Sequence, residues 1–124
     1  MFALKGVQPV RIAVTALQPG PDSSVARALD RAPYLVVYDT ATGTWQALDN
    51  RPVRKVSGCP ADAAAELLER HRVDVLLTGT YGPAAYRALQ DRFIRVRDGA
   101  AGTVRHAVSR FLQPAKATRH HHFQ

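Results

Sequence analysis

The chain has 124 residues, 46% of them hydrophobic and 22% charged, which fits one globular domain rather than two. No apolar run nears the roughly 18–20 residues that a membrane helix needs, and residues 1–10 show neither the apolar core nor the cleavage site of a secretory leader. A single cysteine excludes an internal disulfide and a cysteine-built structural zinc site, so a reducing cytoplasmic setting is expected.

Seventeen Lys and Arg oppose ten Asp and Glu, leaving a net charge of +7, and fourteen of the seventeen are Arg. Arginine and alanine abundance also follows from GC-rich codon usage. The functional reading is an anionic partner: nucleic acid, phosphate or an anionic metal cluster. The basic residues are dispersed along the chain and aromatic residues make up only 7%, which disfavours nucleic acid.

Residues 1–9 read as an extension, residues 10–113 as the domain, and residues 114–124 as a basic, His-containing tail. Residues 10–15 alternate in part between apolar and polar and predict strand 1; residues 17–31, rich in Pro, Gly, Asp and Ser at their start, predict a loop. Tyr34–Asp39 is a β-branched and aromatic run suited to a central strand. Turn chemistry at residues 40–43 then returns the chain as Thr44–Asp49, and residues 50–58 predict a loop. In residues 60–71, Ala64, Leu67, Leu68 and His71 recur at helical spacing, and Pro60 suits a first helical position. His71 reads as a packing or C-capping residue. Residues 73–78 predict strand 4, a helix opens at Pro83 and runs to about Asp91, and residues 93–96 predict strand 5. Gly99 to Thr103 leads into a last helix with the stripe Val104, Ala107, Val108, Phe111 and Leu112, ended by Pro114.

The order β-β-β-α-β-α-β-α predicts an α/β fold: a mixed five-stranded sheet, order 3-2-1-4-5 with strand 2 antiparallel, flanked by three helices, as in ribonuclease-H-like folds. All three helices then begin at one sheet edge, at Cys59-Pro60, Gly82-Pro83 and Gly102-Thr103, where unpaired N–H groups favour negative charge. Thr15, Thr78, Gly79 and Thr80 are expected to line a crevice between strands 1 and 4, with Tyr81 and Gly82 in the adjoining turn. Neither a phosphate-loop nor a dinucleotide fingerprint is present. Cys59, at a helix start, is a candidate thiolate ligand; the alternative is an inert, half-buried cysteine. His106 lies near the third helix start and is a candidate metal ligand, while His120, His121 and His122 form a short tract of weaker promise. Strand 1 lacks the carboxylate of a two-metal nuclease, and no nucleophile elbow or triad is evident, so no enzyme is expected.

The segments Arg11-Ile12-Ala13-Val14, Asp22-Ser23-Ser24-Val25 and Arg31-Ala32-Pro33-Tyr34 resemble the opening of the dinitrogenase iron–molybdenum cofactor biosynthesis family, the NifX-like group. Val73 through Gly79, Gly82 through Leu89, and Gly99 with Gly102-Thr103-Val104 are similar to its fourth strand, second helix and glycine turn. Leu29-Asp30 stands where the family usually has Phe-Gly, Ser57-Gly58-Cys59-Pro60 where it usually has a Gly-rich entry to the first helix, and Arg92-Phe93 where a glycine is common. The resemblance, which extends to the orange protein of sulfate reducers with its molybdenum–copper sulfide cluster, implies a ribonuclease-H-like fold. It also implies a non-enzymatic carrier or accessory for an iron–molybdenum-type or other molybdenum/iron–sulfur cluster, with cofactor-assembly or recipient proteins as partners. The competing expectation is a cluster-free regulatory module that binds a protein or nucleic acid through its basic surface.

Overall fold

The computed structural model describes residues 9–54 and 60–113. In chain order these form β1 (Arg11–Ala16), β2 (Tyr34–Asp39), β3 (Thr44–Asp49), α1 (Arg51–Arg54), α2 (Pro60–Arg70), β4 (Val75–Leu77), α3 (Pro83–Gln90), β5 (Arg95–Arg97) and α4 (Val104–Phe111). The strands make one sheet in the order β3-β2-β1-β4-β5. β1 runs parallel to β4, and β4 to β5, while β2 is antiparallel to both β1 and β3. This is the strand order that the sequence predicts.

Strand alternation divides the core into two layers. Ile12, Val14 and Ala16 of β1, with Val36, Val75 and Leu77, pack against Val104, Ala107 and Val108 of α4. Ala13, Leu35, Val37 and Leu76 point to the opposite face and meet Ala64, Leu67, Leu68, Ala85, Ala88 and Leu89 of α2 and α3. Covered on both sides, β1 is buried from Ile12 to Ala16. Truncating a fully buried side chain such as Leu68 to alanine costs about 2–5 kcal/mol. No helix of the described residues is long and apolar enough to cross a membrane.

Several boundaries differ from expectation, and the larger differences have local reasons. Helix α2 ends with Val73 N–H donating to Leu68 O and Arg72 N–H to Glu69 O, with Arg72 at φ 58°. Helix α3 ends the same way: Ile94 N–H donates to Leu89 O, Phe93 N–H to Gln90 O, and Phe93 sits at φ 60°. This closure satisfies terminal carbonyls. It also postpones β4 and β5 beyond residues 73 and 93. Residues 51–54 form a single helical turn instead of loop, because the Asp49 carboxylate accepts the Arg51 N–H at 3.0 Å. Leu112 is the C-cap of α4 and 46% exposed, so the apolar stripe stops at Phe111, where the helix stops. His71 donates its N–H to Leu68 O in the turn that follows α2 and is half-buried.

Candidate functional site

Because β1, β4 and β5 are parallel, the segments that leave their carboxyl ends meet at one sheet edge. The crevice expected there between β1 and β4 is filled by the chain itself. Thr15 and Thr78 have no exposed surface, and their hydroxyls lie 3.2 Å apart. Thr15 Oγ1 donates to Ala26 O at 2.8 Å, Thr78 Oγ1 lies 3.3 Å from Arg27 O, and the Thr80 N–H donates to Arg27 O at 2.7 Å. A Cβ on Gly79 would come within 2.9 Å of that same Arg27 oxygen. The close approach that requires glycine at residue 79 is thus made by the loop after β1. The hydroxyls of Thr15 and Thr78 anchor that loop.

The helix starts also divide. At α4, Thr103 caps by accepting the His106 N–H at 3.1 Å, while Val104 and Arg105 donate to Ser23 O and Pro21 O at 2.8 and 2.7 Å. Those orphan donors are therefore spent on the loop, which Arg105 also holds through a 3.1 Å ion pair with Asp22. At α3, Gly82 caps without a side-chain bond, Pro83 follows at the first helical position, and a Cβ on Gly82 would meet nothing within 4 Å. Tyr81, beside it, is exposed and stacks on Tyr86 at 5.7 Å. Cys59, ahead of α2, and His120, His121 and His122 lie outside the described residues.

Open concave space lies one strand further out. A groove of about 580 Å³ runs between the β5–α4 turn and α4; Leu77 and Phe111 give it an apolar wall, and Arg97, His106 and Arg110 line its polar side. That volume is ordinary for a small-molecule site. The Arg97 guanidinium lies 5.5 Å from the Phe111 ring centroid, a cation–π placement that steadies a side chain otherwise free in solvent. His106 and Arg110 are four residues apart, so α4 presents both on one side. Gly102, at φ 78°, turns the chain into α4 on the groove's rim, and a Cβ there would stand 3.5 Å from His106 Cδ2. Asp98 is the carboxylate of the lining, against two arginines. Among the described residues, no three His, Cys, Asp or Glu side chains cluster to hold a metal ion. The groove therefore offers charge and hydrogen bonds to an anion, together with apolar contact.

Residues 10–114 match the family described as dinitrogenase iron–molybdenum cofactor. The chain belongs to that family. One similar solved structure is the high-resolution apo form of the orange protein from Desulfovibrio gigas, 44% identical, with a TM-score of 0.78 over 82% of this chain and 86% of that one. The NMR structure of a Thermotoga protein of the DUF35 family is 24% identical with a TM-score of 0.72 over 82% and 86% of the two chains. This second likeness is one of fold alone. No curated protein sequence gives a significant match.

Of the residues singled out in the sequence, the family fold brings Gly102 and His106 together in the groove and places Thr103 as the cap beside them. Arg97, Arg110 and Phe111 complete the groove and carried no expectation as site residues. Their signal was available: Arg110 follows His106 by four residues in a predicted helix, and Arg97 lies one residue past the end of the predicted fifth strand.

Proposed function

We propose that this protein is a non-enzymatic binding and carrier protein for an anionic molybdenum–iron–sulfur cofactor or its precursor, exchanged with cofactor-assembly or recipient proteins in the cytoplasm. One observation carries the reading: the groove where Arg97, His106 and Arg110 face an apolar wall of Leu77 and Phe111. The family is named for the iron–molybdenum cofactor, and a metal–sulfur cluster is a compact polyanion with polarizable sulfur on its surface. Guanidinium groups donate several hydrogen bonds in a fixed fork and are weakly hydrated, so they hold such an anion without displacing its own ligands. Apolar contact from Phe111 and Leu77 suits the sulfide face. Cys59, the single thiol of the chain, is the candidate for a direct metal bond, and the His120–His122 tract is a weaker one.

A carrier must release its cargo. Binding through the groove's charge and hydrogen bonds supports release better than a closed thiolate cage, because at most the one Cys59 bond has to be broken. The test is to mix the anaerobically purified protein with tetrathiomolybdate, alone and with ferrous iron, and pass it through gel filtration. The reading predicts visible absorbance and molybdenum co-eluting with the protein. Molybdenum eluting wholly with the small molecules would overturn it.

A further inference from the structure

β5 is the last strand of the sheet, next to β4 alone among the described residues. The Arg95 N–H donates to Asp74 O, and Arg97 O accepts from the Thr78 N–H, so the backbone groups of both arginines are turned toward β4. In a parallel ladder the residue between them turns the other way, which leaves the N–H and C=O of Val96 on the outer side, with no backbone partner among the described residues. Beside that edge lies a second groove of about 440 Å³, lined by Tyr86, Gln90, Phe93, Ile94 and the three residues of β5.

Phe93 makes this edge unusual. It is 92% exposed and stands at φ 60°, the left-handed position that ends α3 and that glycine fills without strain. An aromatic side chain there pays twice, in backbone strain and in apolar surface left in water, and nothing within the described residues offsets either. Strain retained at an exposed position points to a role outside the fold. Tyr86, itself 44% exposed, extends the apolar strip toward Tyr81.

We propose that the β5 edge and this groove dock an extended acidic segment of a partner protein, added to the sheet as a sixth strand. Charge selects the occupant. A second copy of this chain, pairing antiparallel about Val96, would set Arg95 against Arg97 of its twin, a like-charge contact that destabilises a strand pair. Neither arginine forms an ion pair among the described residues. Arg95 and Arg97 stand in register with Val75 and Leu77 and so share the α4 face, whereas Val96 packs toward the α2–α3 core. The complementary segment therefore alternates, with acidic residues toward the arginines and apolar residues toward Val96, Phe93 and Tyr86. Basic residues on an edge also serve to block self-pairing. Blocking alone would not leave a solvent-facing phenylalanine at the same edge. Arg97 lines both grooves, so the docked segment would lie next to the anion groove, although the docking does not depend on what that groove holds.

The experiment titrates the ¹⁵N-labelled protein with a capped peptide alternating valine and glutamate, and with its lysine-for-glutamate counterpart. The glutamate peptide is expected to move the amides of Val96, Asp98 and Phe93, and the lysine peptide to move none of them. Arg95→Glu should reverse that preference. Phe93→Gly should weaken the glutamate peptide about tenfold, raise the melting temperature by about 4 °C, and leave thiomolybdate binding as it was. Absence of shifts at millimolar peptide, equal response to both peptides, or shifts confined to His106 and Arg110 would overturn the proposal. A melting temperature that falls in Phe93→Gly would overturn it too, since Phe93 would then be part of the packing. Loss of thiomolybdate binding in the wild-type protein would instead count against the carrier reading and leave this one standing.

Discussion

The carbonyl oxygen of Arg27 lies 2.9 Å from the place where a Cβ on Gly79 would stand. That one contact leaves no room for a ligand against Gly79. It shows the carboxyl ends of β1 and β4 closed over by their own loop, with Thr15, Thr78 and Thr80 bonded to the same stretch of backbone. The groove that offers an anion charge and space lies beyond it, between the β5–α4 turn and α4.

Gly79→Ala follows directly. The obstructing atom is backbone, so it cannot swing aside, and overpacking of this kind costs about 1–3 kcal/mol. Chemical denaturation should show a loss of that size with an unchanged slope. Gly82→Ala, where a Cβ meets nothing, should cost far less. Equal effects at the two glycines would mean that the loop does not hold this position.

Thr15→Val tests the same closure from the other side. It keeps the shape of the side chain and removes the hydroxyl that donates to Ala26 O, leaving a buried carbonyl unpaired at a cost of about 1–3 kcal/mol. Thr78→Val alone should cost a similar amount, and the double variant less than the sum, since the two hydroxyls are 3.2 Å apart. Strict additivity in a denaturation cycle would contradict the shared network.

The strand order was legible because burial is written into the strands themselves. Residues 12–14 and 35–37 are apolar without interruption, which only a strand covered on both faces tolerates, and the helical spacing in residues 60–71 and 104–111 marks what covers them. The filled crevice was not legible. It rests on the carbonyls of Pro21, Ser23 and Arg27 meeting N–H groups far along the chain and that of Ala26 meeting the Thr15 hydroxyl, and backbone carbonyls leave no trace in side-chain pattern. The start of β5 was misplaced for a related reason: Phe93 favours a strand by type, yet it occupies a left-handed helix end where glycine would have announced the turn. The anion groove was half legible, since Gly102 and His106 were in view while Arg97 and Arg110 were lost among fourteen arginines.

Asp49 supplies a pH dependence with a fixed sign. Arg51 donates Nε and an Nη hydrogen to its two oxygens at 2.9 Å each, and this lowers the carboxyl pKa from 3.8 to about 2. The folded value lies below the unfolded one, so the contribution is complete above about pH 4 and is lost as the pH falls toward 2. Both groups face solvent, so the effect on stability is small. Carbon-detected NMR should place the Asp49 midpoint near 2 in the wild type and return it toward ordinary values in Arg51→Ala. A midpoint unmoved by that substitution would show the pair to be absent in solution.

Cys59→Ser separates a direct metal bond from binding by charge. If the thiolate ligates, the variant should retain less molybdenum after gel filtration, and the wild-type thiol should resist iodoacetamide once cargo is bound. Unchanged retention and unchanged alkylation would assign the whole interaction to the groove.

The central claim is that an anion is held in one place rather than by the overall charge of +7. The direct measurement is the affinity for tetrathiomolybdate, by visible absorbance at low and at physiological salt, in Arg97→Ala, Arg110→Ala, Arg70→Ala and Arg87→Ala. Arg97 and Arg110 line the groove, whereas Arg70 and Arg87 are exposed on α2 and α3. The account predicts that each groove substitution weakens binding about tenfold at both salt concentrations, about 1.4 kcal/mol, while the two distant ones matter only at low salt, where charge acts over roughly 30 Å. Equal weakening by all four substitutions, vanishing together as salt is raised, would contradict it.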